Sequence, residues 1–239
     1  MTVKQAGLGL AAIALSSFAV LLNAAPPAAD GLRVDIVSPA DRSRLAWNGQ
    51  GSYAVTVSYD GKSSRYGEIP SNAVLLRTTY AADADAPAAR RAEPLPPALV
   101  AIGRSNCMGC HDFTASSAGP SFAAIGKRYA GNAAAIAQLA DHIRNGSNGA
   151  WGGGSMPPHP DLSPAQATAI AQWIVAHGND PGVRYSIGKA GSFRMTAPGA
   201  PGPRAGLVLS AFYTGPLKPG DDRNSAAGRT VVVVYGSGS

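Results

Sequence analysis

Cysteine is almost absent from these 239 residues: there are only two, Cys107 and Cys110, three positions apart. A disulfide framework needs more pairs, and one bridge across two intervening residues closes too small a loop to stabilise a domain much. A closed zinc centre needs four ligands, usually drawn from a second Cys or His pair, and no further cysteine exists to supply them. Charge is sparse too, at 14% of residues. The net charge of +6 and the pI near 9.5 come from dispersed residues, with no Lys/Arg run and no basic residues interleaved with aromatics. That pattern carries no nucleic-acid site; it suits a solvated basic surface that favours acidic partners.

Long apolar runs are missing apart from one, about Leu8 to Leu22, which follows Lys4 and precedes the small residues Ala24, Ala25 and Ala29. This is the pattern of a secretory signal, and the run is short for a bilayer span. Residues 1–29 are therefore expected to be a cleaved signal peptide, with an uncleaved anchor as the competing reading. After cleavage no stable membrane span is expected, and the protein is placed in the periplasm or outside the cell.

With 29 Gly and 19 Pro, much of the chain should be loop and turn. Residues 30–80 read as an antiparallel β segment. Leu-Arg-Val-Asp-Ile-Val from Leu32 and Tyr-Ala-Val-Thr-Val-Ser-Tyr from Tyr53 alternate at period two, and Val74 to Tyr80 follows. Residues 81–94, rich in Ala, Pro and charge, read as a linker. From there to about Gly178 the periodicity is helical. Leu99, Ile102, Gly103 and Asn106 share a face behind Pro96 and Pro97. Asn132 is expected to cap a helix carrying Ile136, Leu139 and Ile143, which ends at Gly146. Ser163, Pro164 and Gln166 form the start of the clearest helix, through a capping box, with Gly178 as its stop. Ile170, Trp173, Ile174 and His177 are its expected buried face. Residues 181–239 return to strands around Gly191–Ala197, Ala205–Gly215 and Arg229–Gly236, the last reading either as a buried strand or as an adhesive edge. The expected fold class is α+β in several parts: a helical domain over 95–180 between two β segments, which are too short to stand alone and are expected to join in one composite β-sandwich.

Cys107, Cys110 and His111 fit C-x-x-C-H, the attachment signature of haem c. Two thiols one helical turn apart can reach the two vinyl groups of a porphyrin, and the adjoining imidazole then points at the iron. A thioredoxin-type dithiol would sit in a βαβ unit, which is not seen. For the sixth iron position Met156 is the candidate: glycines precede it, and Pro157 and Pro158 hold the chain extended behind it. His159 is the substitute ligand. Met108 lies inside the motif and cannot reach the other face, Met195 reads as strand core, and His142 and His177 read as structural. The carbonyl supplied at Gly119–Pro120 is expected to accept from the other nitrogen of His111. Tyr129 and Trp151 are candidate donors to the haem propionates, with Arg128 or Arg144 to neutralise them.

In order and spacing, the stretches beginning at Asn106, Gly119, Leu139 and Leu162 resemble a small bacterial class I cytochrome c over about residues 95–178. The resemblance implies a compact helical fold with one covalent haem c, iron ligated by His111 and Met156, single-electron transfer, and Gly103 and Trp173 near a crossing of first and last helices. Residues 33–80 and the stretch after Ala205 are similar to the PKD-like β segments that accompany such a cytochrome in large secreted bacterial proteins. The leading expectation is an electron carrier, not an enzyme, that works between a dehydrogenase donor and an oxidase or cytochrome acceptor. Two other readings are open: a haem enzyme or gas sensor with a displaceable sixth ligand, and a haem module that serves mainly to dock on a dehydrogenase complex.

Overall fold

Alternation in the first strand puts Leu32, Val34 and Ile36 on one face, and all three are buried in β1 (Leu32–Ser38). The same period buries Tyr53, Val55 and Val57 in β3 (Gln50–Tyr59), which pairs antiparallel with β1. The computed structural model describes residues 31–59, 62–63, 69–91, 93–215 and 227–237. The expected signal segment lies outside them.

Short strands β2 (Ser43–Ala46) and β4 (Lys62–Ser63) flank β3, and β5 (Val74–Ala81) closes the N-terminal set. The helical part that follows holds two short strands of its own, β6 (Ser147–Asn148) and β7 (Ser155–Met156). After it come β8 (Val183–Ile187), β9 (Ala190–Arg194), β10 (Gly206–Tyr213) and β11 (Ala227–Ser237). Strands from before and after the helices share both large sheets. In the first, β3 pairs β1 on one edge and β4 and β9 on the other. The second runs β2-β11-β10-β5-β8, antiparallel except for the β2–β11 pair. β11 is thus an interior strand, which explains its run of valines.

One face of each sheet contributes to a single buried cluster that includes Val34, Val55, Leu76, Leu209, Val234 and Met195, the last fully buried. The other face of the five-stranded sheet is covered twice. Residues 81–91 run over Val208, Val233 and Tyr235, burying Ala84 completely. The helices cover Leu75 and Phe212, which join their core. On that face Arg77 is only 9% exposed; its guanidinium lies 4.9 Å over the Phe212 ring, and Nη2 donates to the Glu93 carbonyl at 2.9 Å. A buried cation is tolerable only with such partners.

The helical part contains α1 (Pro97–Arg104), α2 (Phe122–Arg128), α3 (Ala135–Asn145) and α4 (Pro164–His177). α1 starts with Pro at its first position and buries Leu99 and Ile102 completely. α4 has the reciprocal capping box of Ser163 and Gln166. α2 is not legible by periodicity, being short and interrupted by Gly126. That glycine is required by packing, since a Cβ there would stand 2.7 Å from the Ile174 carbonyl oxygen.

One expectation needs correction: His177 is exposed beside Trp173, outside the buried face of α4. The missing side chain of Gly103 leaves room for Thr214, whose Oγ1 occupies the space a Cβ would need. Trp173 lies edge-on to Phe113 and Tyr185. The Asn132 side chain accepts from the amide of Ala135, the first residue of α3, as expected of a cap.

Candidate functional site

At the end of α1 the amide of Ser105 still bonds Ala101, and Asn106 then takes a left-handed conformation (φ 55°) that turns the chain out of the helix axis. Cys107–Gly109 form one tight turn, and the amides of Cys110 and His111 both donate to the Cys107 carbonyl. Cys107 is buried and Cys110 exposed, and both thiols are free. Burial pushes the Cys107 thiol up to about 11. A redox dithiol needs the opposite shift, toward thiolate near neutral pH.

The loop after the motif folds back, with the Gly119 amide donating to the Cys110 carbonyl at 2.8 Å. His111 Nδ1 then lies 2.7 Å from the Pro120 carbonyl oxygen. A carbonyl only accepts, so Nδ1 carries the proton, which in the neutral imidazole leaves the lone pair on Nε2. Gly119 is bare for a reason: a Cβ would stand 2.6 Å from Cε1 of His111. The Phe122 ring lies nearly parallel to the imidazole, with centroids 5.6 Å apart.

Met156 is held separately. Gly146 ends α3 with φ 80° and has no room for a side chain, because a Cβ would be 2.7 Å from the Met156 carbonyl oxygen. Two rungs pair β6 with β7, and the His159 amide bonds the Ile143 carbonyl.

Cys107, Cys110, His111 and Met156 all line one cavity of about 450 Å³, within the range of cofactor sites, whose walls include Ile102, Phe122, Ile125, Ile143 and Ile174. Pro120 and Trp151 line it as well. Tyr129 packs against the core behind the cavity and edge-on to Trp151 at 6.5 Å. Arg128 stacks 4.5 Å over Trp151 and donates to the Ala150 carbonyl, and Arg144 Nε donates to the Leu162 carbonyl. Two histidines read as minor or structural, His142 and His159, are cavity-lining. His159 Nδ1 is 4.0 Å from an oxygen of Asp161, whose other oxygen accepts from Ser105. His142 was hidden because it borders the apolar stripe of its helix.

These residues fit a covalent haem c. Two unpaired thiols, an imidazole with a free lone pair, a thioether and an apolar cavity converge, and a bare glycine leaves room for the imidazole.

The helical segment also has known relatives. The family described as cytochrome c oxidase, cbb3-type, subunit III, matches residues 96–174. Cytochrome c-552 of Hydrogenobacter thermophilus is 41% identical over 73 residues, 30% of this chain and 74% of that protein. Cytochrome c-551 of Pseudomonas aeruginosa is 35% identical over 77 residues, 32% of this chain and 73% of its own. The crystal structure of wild-type Nitrosomonas europaea cytochrome c552 is 38% identical and covers 33% of this chain and 96% of its own, with a TM-score of 0.31. The motif and cavity are those of a c-type cytochrome domain. The chain belongs to the small class I cytochromes c of the c-551 and c-552 kind, electron carriers with covalently bound haem c.

Proposed function

We propose that this is an exported, periplasmic electron carrier with one haem c, bound by thioethers to Cys107 and Cys110 and ligated by His111 and Met156. The observation that carries the reading is that His111 and Met156, placed by independent loops, line the same apolar cavity as both thiols. Bound there, the haem supplies an iron that gains and loses one electron. The chain's residues do the rest. The Pro120 carbonyl fixes the imidazole tautomer and raises its basicity. The ladder and proline arm seat the Met156 thioether, a ligand that raises the potential and fills the sixth position. The apolar walls exclude water. Trp151 and Pro120 complete the pocket, and Tyr129 and Arg128 support Trp151.

The haem domain, residues 95–180, is an insertion in one composite β-sandwich built from residues 30–80 and 181–239, a reading supported by the strand pairing across the helical segment. The PKD-like resemblance of these segments and the basic net charge suit docking to acidic surfaces of redox protein partners, a dehydrogenase as donor and an oxidase or another cytochrome as acceptor.

A redox titration followed by optical spectra on the full chain, expressed with export, tests this. One low-spin haem per chain with a weak ferric absorption at the red end, typical of sulfur ligation, is expected. Rapid binding of CO or cyanide to the untreated protein, without the red-end absorption, would favour the enzyme or gas-sensor reading and overturn this one.

A further inference from the structure

The attachment motif is gripped by the β part of the molecule on both flanks. Just before it, Asn72, in the turn preceding β5, donates through Nδ2 to Asn106 Oδ1 at 2.5 Å. Just after it, Tyr185 of β8 stacks on Phe113, with centroids 4.9 Å apart and planes at 29°. Phe113 in turn meets Phe122 edge-on at 5.3 Å, and Phe122 lies against the His111 imidazole. Tyr185 is itself anchored by the sheet: it stands opposite Arg77 in the β5–β8 register, and its ring also lies edge-on to Trp173 at 5.9 Å.

Building on the ligation described above, we infer that Tyr185 is a positioning residue for the haem iron, acting through Phe113 and Phe122 to set the rotation of the His111 ring. The Pro120 carbonyl constrains one atom of the imidazole, Nδ1, and a single hydrogen bond leaves rocking about that contact. A parallel aromatic neighbour removes this freedom, because ring stacks prefer defined geometry and close-packed interiors transmit displacements. The chain of rings begins on a strand outside residues 96–174, the span of the cytochrome family match. The β part therefore tunes the electronic state of the iron.

Imidazole rotation about the bond to iron decides how unpaired spin is distributed over the porphyrin in the ferric state. Proton NMR reads this as the order and spread of the haem methyl resonances. In the full-length ferric holoprotein, Tyr185→Phe keeps the ring and is expected to preserve the native methyl order. Tyr185→Leu, and Tyr185→Met if the leucine variant does not fold, are expected to change that order and to shift the midpoint potential. The red-end sulfur absorption should stay in place, since Met156 is held from another side. A native methyl pattern in a folded ring-less variant would overturn the inference. If the native protein itself shows no His/Met low-spin haem, the ligation reading has failed; a native signature with insensitive variants sinks this inference alone.

Discussion

A side chain at Gly119 and the ring of His111 cannot occupy the same space: an added Cβ would stand 2.6 Å from Cε1 and 2.9 Å from Nδ1. The glycine is what allows the loop after the motif to return to the Pro120 hydrogen bond. Gly119→Ala is expected to force the imidazole off that bond, at about 1–3 kcal/mol of overpacking. Denaturant unfolding of the holoprotein should show the loss, together with a changed midpoint potential. An unchanged potential and midpoint would mean that the loop yields freely.

Met156→Ala should remove the red-end ferric absorption and lower the potential, since the thioether ligand raises it. The same variant should bind CO or cyanide that the native protein excludes. If His159 moves in as the substitute ligand, the spectrum stays low-spin while the sulfur feature is lost.

Gly103→Ala should destabilise the whole molecule, because a Cβ there collides with the Thr214 side chain. Thr214 cannot retreat easily: its hydroxyl and amide both bond the Ala73 carbonyl, and it is fully buried. A loss of about 1–3 kcal/mol in thermal or chemical unfolding is expected, shared by probes of strand and of helix. A transition confined to the helical probes would show that the two parts unfold independently.

In the protein before haem attachment, Cys110 should alkylate readily near neutral pH while Cys107 lags. Burial holds the Cys107 proton to about 11, against 9.0 for an ordinary thiol, and only the thiolate attacks. The folded state thus binds the proton more tightly than the unfolded chain. That contribution to stability is full below about pH 9 and is lost as pH rises toward 11. Mass spectrometry after brief iodoacetamide treatment, and unfolding midpoints across this range, give the check. Equal labelling of the two thiols at neutral pH would contradict the burial.

The haem motif was legible because its chemistry depends on residue identity at fixed spacing: Cys107, Cys110 and His111 are adjacent in sequence, and Met156 stands between glycines and prolines that have little other use. α4 was legible for a similar reason, since its cap, its proline and its stop are local signals. What could not be read was whatever depends on partners distant in sequence. β8 is five residues with no clear alternation, and it forms because β5 offers an edge. Gly103 and Gly126 look alike in the sequence, as glycines within helices, yet one makes room for Thr214, just past the end of β10, and the other for a helix carbonyl. Tyr185 carries no motif at all, and its contact with Phe113 exists only once the sheet is assembled.

The amide of Tyr80 bonds the carbonyl of Gly182 at 2.9 Å, where β5 leaves the sheet and β8 re-enters it. The entry and exit of a hundred-odd intervening residues therefore meet at one rung of neighbouring antiparallel strands, the geometry that a tight turn would otherwise join. Such loop tips accept whole-domain insertion with little penalty. The arrangement has a practical corollary: another small cytochrome whose ends lie equally close could be grafted into the same joint.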